Sequence, residues 1–185
     1  MRVVAGTAGG IQLLVPKTNV RPTMDRVKAA IFSSLGEAVV GAQVLDLFAG
    51  SGALGIEALS RGAASAVFVE QDREAIAAIE KNLVKTKLKG NVLRTDVFAF
   101  LRLSAGGEMF QIIFADPPYE ITPSGECHTA LLLASGPLAQ LLDPGRILIV
   151  EKRPGEMLPE MKLWRVIRQK TYGATEVLFL RLHQF

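Results

Sequence analysis

Asp116, Pro117, Pro118 and Tyr119 stand together directly after the apolar run Phe110–Ala115. Such a run reads as a strand buried on both faces, so the tetrapeptide falls at a strand end. Two successive prolines fix the backbone and remove two N–H donors. What faces a ligand is then a pair of acceptors, the Asp116 carboxylate and the Pro117 carbonyl. An acceptor pair suits a planar –NH2 group. It would orient the amine and aim its nitrogen lone pair at an electrophile for in-line displacement. No strong base is needed beforehand, because the nitrogen loses its proton readily once alkylated. Tyr119 offers a ring on which a flat base can stack, worth roughly 1–3 kcal/mol. A base held in this way must leave its own stack or arrive unpaired.

A second group of residues lies upstream. Gly50-Ser51-Gly52-Ala53-Leu54-Gly55 matches G-x-G-x-x-G, follows the apolar run Val44–Phe48, and has Glu70 20 residues after Gly50. Glycines there let the backbone turn sharply and approach a ligand, and an acid on the next strand accepts from ribose hydroxyls. An NAD-binding domain fits that pattern too. Asp46, four residues before Gly50, tilts the choice. A carboxylate there would repel a pyrophosphate and attract the ammonium of a methionine moiety. Asp96, after the third apolar run, would accept from an adenine amine. A ribose, an adenine, a sulfonium and an ammonium together describe S-adenosylmethionine.

The elements that must position these residues alternate. Arg2–Leu14 reads as a small hairpin. Thr23 caps a helix with Asp25 in its first turn and Val27, Ala30, Ile31 and Leu35 at helical spacing. From Gln43 onward, strands at Val44–Phe48, Ala66–Glu70, Asn91–Arg94, Phe110–Ala115 and Gly145–Glu151 alternate with helices at Ala53–Arg61, Arg73–Lys85, Val97–Leu103 and His128–Leu142. Continuous apolar strands between helices predict a parallel sheet covered on both faces. Leu163–Thr171 and Thr175–Leu182, around Tyr172-Gly173-Ala174, predict an antiparallel hairpin at its edge. The fold class expected is α/β and doubly wound, with ligands bound outside the carboxyl ends of the strands. Asp46–Gly52, Glu70, Asp96 and Asp116 all fall there.

Composition narrows the function classes. The chain has 185 residues, 49% of them hydrophobic, enough for one domain with a sizeable core. Its single cysteine, Cys127, forms no internal disulfide and no thiolate cluster. His128 and His183 are too few and too far apart for a metal site. There is no signal-peptide pattern and no apolar run of about 18 residues, so a cytoplasmic protein without a membrane span is expected. The net charge of +3 is uneven: residues 1–30 and 152–185 each carry +4, and the middle −5. Basic ends suit phosphates and an acidic centre suits a small cationic ligand, although solubility alone accounts for such a pattern.

Longer segments carry a family resemblance. Arg2-Val3-Val4-Ala5-Gly6, the Arg21-Pro22-Thr23 and Arg26-Val27 pattern, the run Asp46 to Gly62 and Asp116-Pro117-Pro118-Tyr119 resemble the bacterial RsmD methyltransferases over nearly the whole chain. The resemblance implies a Rossmann-like class I methyltransferase with a mostly parallel seven-stranded sheet, a C-terminal antiparallel hairpin and a small N-terminal hairpin plus helix. It implies methylation of the N2 amine of one guanine in 16S ribosomal RNA, within a partly assembled small subunit, by a monomer using S-adenosylmethionine. By resemblance, residues 1–40 form an RNA-contacting extension and 41–185 the cofactor-binding and catalytic core. Asp46, Gly50 and Gly52 would hold the methionine part, Glu70 the ribose, and Asp96 with Val97 the adenine. Phe48, Ala49, Ser51, Gln71 and Asp116 complete the cofactor set. Asp116, Pro117, Pro118 and Tyr119 would hold the guanine. Arg21, Thr23, Arg26, Lys28 and Tyr172 would meet RNA. The family's basic residue in the early glycine stretch is missing from Gly9-Gly10-Ile11-Gln12-Leu13, and Ile121–Thr129 has no assigned role. A DNA adenine or cytosine amino-methyltransferase shares the tetrapeptide, but 185 residues leave no room for a separate target-recognition domain.

Overall fold

A computed structural model describes residues 1–16, 24–119, 121, 125–158 and 160–183. Seven strands form one sheet: β1 (Gln43–Leu47), β2 (Ser65–Glu70), β3 (Asn91–Arg94), β4 (Phe110–Ala115), β5 (Leu142–Lys152), β6 (Trp164–Tyr172) and β7 (Thr175–Leu182). Their order is β3-β2-β1-β4-β5-β7-β6. β1 to β5 pair in parallel, and β7 runs antiparallel to both β5 and β6. The order therefore reverses between β1 and β4, the switch point at which such sheets open a crevice. The apolar runs of the sequence occupy these strands because both faces are covered.

One face packs against α1 (Met24–Leu35), α2 (Ala53–Ser60) and α3 (Arg73–Thr86) around Phe32, Ile56, Phe68 and Phe114. The other packs against α4 (Val97–Ser104), α5 (His128–Ala134) and α6 (Gly136–Leu141) around Leu47, Leu101, Ile113 and Leu132. The single helix expected over His128–Leu142 is two. Ser135 is extended and caps α6 by accepting the Leu138 N–H, and Pro137 sits in the first turn. A proline is well placed at a helix start and breaks a helix interior, so the chain restarts there.

The N-terminal segment closes over α2. Arg2 and Gln12 form an isolated antiparallel bridge, the core of the expected hairpin. Ser60 anchors this segment: its carbonyl accepts the Thr7 N–H (2.8 Å), and its hydroxyl accepts the Ala8 N–H and donates to the Ala5 carbonyl. A Cβ on Gly6 would lie 1.8 Å from the Ser60 carbonyl oxygen, so only glycine permits this approach. Glu57, fully buried, accepts the Val4 and Ala5 N–H groups and pairs with Lys28 (3.2 Å) and Arg61 (2.8 Å). The roof explains why α2 is buried nearly all round instead of showing the amphipathic stripe of a surface helix.

Candidate active site

β1 ends in a backbone reversal. Phe48 has φ +56, a left-handed conformation that a bulky side chain rarely adopts. Regular alternation would put Phe48 on the same side as Asp46. The reversal swings its ring to the other face, against Phe98 (6.2 Å) and His128 (6.4 Å), with Phe98 stacked on His128 at 6.2 Å. These three half-buried rings wall the crevice beside the start of α4.

The glycine loop follows, with Ala49 and Ser51 both buried. Gly52 precedes α2 in the left-handed region. Gly55 lies in the first turn of α2, where a Cβ would meet the Phe68 ring at 2.3 Å; its glycine keeps α2 tight on the sheet. Two side chains hold the loop from below. Asn82, wholly buried on α3, donates to the carbonyls of Leu14 and Ser51 and accepts the Leu14 N–H. Asp46 accepts the Gly55 N–H at 2.9 Å and is only 2% exposed. Burial raises its carboxyl to about 8, with the nearby charges of Asp116 and Glu70 adding to the rise and the Gly55 hydrogen bond opposing it. The sequence reading has Asp46 face an ammonium as a carboxylate; its side chain lies beneath the loop, where it holds the Gly55 N–H and with it the loop's position.

The other acids stand at strand ends as the spacing predicts. Glu70, half-buried, accepts the Gly50 N–H (2.9 Å) through one oxygen and the Gln71 and Asp72 N–H groups through the other. Gln71 is exposed next to it. Asp96 caps α4 through the Ala99 N–H (2.8 Å), and Val97 behind it is buried. Asp116 is half-buried, Pro117 buried, Pro118 exposed and Tyr119 half-buried. The Arg153 guanidinium lies over the Tyr119 ring at 5.0 Å. Beside them opens a cavity of about 300 Å³ lined by Pro118, Tyr119, Cys127, Arg153 and Glu156. Ile121 and Cys127, from the segment of unassigned role, pair in an isolated antiparallel bridge and both line this cavity. Burial, reinforced by the Glu156 carboxylate, holds the Cys127 thiol above its ordinary value. It lines the cavity wall, and a raised thiol is the less reactive form.

The residues expected to meet RNA separate. Arg21 and Thr23 lie outside the described residues. Arg26 is exposed on α1. Lys28 is 2% exposed, with its ammonium on Glu57 and the Arg2 carbonyl (2.5 Å). Burial lowers its pKa, against the pull of Glu57. Its position on the inward stripe of α1, between Val27 and Ile31, removes it from any RNA-facing surface. Tyr172 is half-buried against the first core, at the end of the sheet where the site lies. Trp164 is core: its indole donates to the Leu133 carbonyl.

Comparison with known proteins now decides the family. A family model described as "Conserved hypothetical protein 95" matches residues 1–181. The chain belongs to that family. A relative from Bacillus subtilis (strain 168), YlbH, is 40% identical over 182 residues, covering 96% of each chain. The Haemophilus influenzae protein named ribosomal RNA small subunit methyltransferase D is 31% identical over 188 residues, covering 100% of this chain and 93% of that one. Among solved structures, the T. thermophilus 16S rRNA N2 methyltransferase RsmC in complex with AdoMet and guanosine superposes with a TM-score of 0.69 at 28% identity. The match covers 90% of this chain and 44% of that one. The family member described here thus has the class I S-adenosylmethionine-dependent methyltransferase fold, as its mixed sheet and C-terminal hairpin already indicate.

Sequence reasoning missed Glu57, Asn82, Phe98, His128 and Arg153. Arg153 had a signal: it follows the strand beside β4, so it must emerge next to the tetrapeptide. Glu57 and Asn82 had little, because most of their partners are distant in sequence: the Val4, Ala5 and Leu14 backbone lies 52 to 68 residues away.

Proposed function

We propose that this protein transfers a methyl group to the exocyclic N2 amine of a guanine in small-subunit ribosomal RNA. The observation that carries the proposal is the tetrapeptide Asp116–Tyr119. It lies at the end of β4, next to β1 and its glycine loop across the switch point, and beside the cavity under Arg153. The residues present fit S-adenosylmethionine. The loop after β1 brings backbone close to a ligand, Glu70 and Asp96 stand at successive strand ends for hydroxyls and an amine, and Phe48 and Phe98 supply an apolar wall. Bound there, S-adenosylmethionine supplies an electrophilic methyl on sulfur.

The remaining work belongs to this chain. Asp116 and the Pro117 carbonyl accept the two amine hydrogens and fix the nitrogen lone pair in line. Tyr119 stacks the flat base on the ring face that Arg153 leaves open, and the guanidinium presents donors to a guanine edge. Once nitrogen gains the methyl it carries positive charge, and its proton passes toward the Asp116 carboxylate or water. Glu70 binds the ribose of the cofactor after giving up the Gly50 N–H or in addition to it, and Asp96 uses the oxygen that does not cap α4. Phe48, Ala49, Gly50, Ser51, Gly52, Gln71 and Val97 line the cofactor.

Residues 1–40 serve as the RNA-facing extension, with Arg21, Thr23, Arg26 and Tyr172 as contacts, and residues 41–185 as the catalytic core. The protein acts as a monomer in the cytoplasm on a partly assembled subunit. Among the described residues, no helix is long and apolar enough to cross a membrane.

The test uses radiolabelled cofactor and undermodified small subunits. N2-methylguanine should appear in the digested RNA; label found only in DNA would overturn the proposal. Asp116→Ala should lose transfer at least about 100-fold, the scale of a misplaced reacting group, while still binding S-adenosylhomocysteine in calorimetry. Unchanged transfer would mean the acceptor is elsewhere.

A further inference from the structure

The free edge of the sheet carries a feature that the transfer chemistry does not use. Arg168 of β6 pairs with Phe179 of β7, and Lys170 with Val177. Phe179 and Val177 belong to the first core, and directly paired residues share a face, so Arg168 and Lys170 project on that side. Arg181, two residues beyond Phe179, repeats its orientation, and Arg165 pairs directly with Arg181. The irregularity between Val166 and Arg168 puts Arg165 and Arg168 on one face despite their spacing of three. All four cations are exposed. Tyr172 continues the line to the turn, at the end of the sheet that holds the tetrapeptide. From Arg165 to Tyr172 the stripe is roughly 20 Å long at the rise of a strand.

Charge on the other face of the hairpin is already matched. Glu176 there pairs with Lys152 and accepts from Gln169 (2.6 Å) and Thr171 (3.3 Å). Among the described residues, none of the four stripe cations forms an ion pair. Four cations against Glu176 alone give this hairpin as much net positive charge as the entire chain. Arg165 and Arg181 face each other directly, an arrangement that weakens a hairpin unless an anion lies between them. Arg168 is steadied by donating to Ser34 Oγ (3.1 Å). With Arg146 and Arg181 it lines a cavity of about 260 Å³.

We propose that this stripe is a docking track for the RNA sugar-phosphate backbone. Phosphates sit on Arg165, Arg181, Arg168 and Lys170 in turn, leading the strand past Tyr172 to the rim of the base cavity. Arginine's planar fork suits phosphate oxygens in pairs. Because every contact is to backbone, the track supplies affinity and register and leaves base selection to the cavity. It rests on the reading that RNA is the substrate.

The test compares the full chain with a variant carrying Arg165→Gln, Arg168→Gln, Lys170→Gln and Arg181→Gln. The probe is a fluorescent fragment of small-subunit ribosomal RNA titrated across a salt series. RNA affinity should fall at least about ten-fold near physiological salt, and the slope of log affinity against log salt should shrink by about three, as expected for four lost phosphate contacts. Binding of S-adenosylhomocysteine should be unchanged, which reports an intact fold. Arg165→Glu alone, at an exposed edge, should weaken RNA binding in the same direction. Unchanged RNA affinity and slope in both variants would overturn the track. So would displacement of the RNA by polyglutamate of equal charge as effectively as by unlabelled RNA, which would assign the face to acidic protein. A wild-type protein that binds RNA through the stripe yet methylates no guanine would refute the proposed activity and leave the track standing.

Discussion

Asp46 illustrates how burial changes what a residue can do. A carboxyl group 2% exposed and raised to about 8 behaves as a hydrogen-bonding neutral group near pH 7. Its linkage has a definite sign. A folded-state pKa above the unfolded value means that the folded protein holds the extra proton between about pH 4 and pH 8. That stabilisation is complete at low pH and is lost as pH rises through 8. Asp46→Asn keeps an acceptor for the Gly55 N–H and cannot ionise. The wild type should therefore lose stability in urea melts between pH 6 and pH 9, and the variant should lose less. Parallel losses in the two proteins would show that Asp46 is not the group titrating. The position of this residue was legible in the sequence, four residues before the loop. Its raised pKa was not, because desolvation depends on α2 closing over it. Phe48 shows the same limit: its place at the strand end was readable, but its φ of +56 follows from the aromatic contacts on the far face.

At the scale of elements, spacing located strands β3 and β4 to the residue and the C-terminal hairpin nearly so, since period and turn chemistry are local properties. What it missed were decisions made by distant packing. Lys28 lies on a stripe with Ile31 and Leu35, and a lysine there looks exposed until Glu57 is known to wait beneath it. The Glu57 cluster joins three elements: α1 through Lys28, α2, which carries Glu57 and is followed by Arg61, and the N-terminal segment through two N–H groups. Removing one partner of such a buried pair leaves a charge uncompensated. Glu57→Ala should destabilise the fold by about 3–5 kcal/mol in denaturant titration, the range for broken buried pairs. Glu57→Gln should fall between it and wild type. A loss below about 1 kcal/mol, the scale of a surface pair, would mean that the cluster contributes no more than an exposed one.

The whole molecule divides its labour by direction. Strand ends on one rim hold the glycine loop, the acids and the tetrapeptide, while the far end of the hairpin carries the basic residues Arg165 and Arg181. A ligand seated on that rim touches loops from β1, β2, β3 and β4 at once, so binding should stabilise the entire domain. At 100 times its dissociation constant, S-adenosylhomocysteine should raise unfolding free energy by about 2.7 kcal/mol, read as a higher melting temperature in scanning calorimetry. NAD at the same concentration should raise it little. An equal shift with NAD would revive the dinucleotide reading that the glycine pattern alone leaves open.

Pro117 and Pro118 have one more consequence. Proline carries no amide hydrogen and little backbone freedom, so the acceptor pair is ordered before any base arrives. Seating a guanine there immobilises side chains and not a loop, and the entropy lost on binding is correspondingly small. The same absence of amide hydrogens makes these two positions silent in hydrogen exchange and in amide-detected NMR. Motion at the reacting centre has to be followed through the Tyr119 ring instead, for example by a fluorine label placed on it.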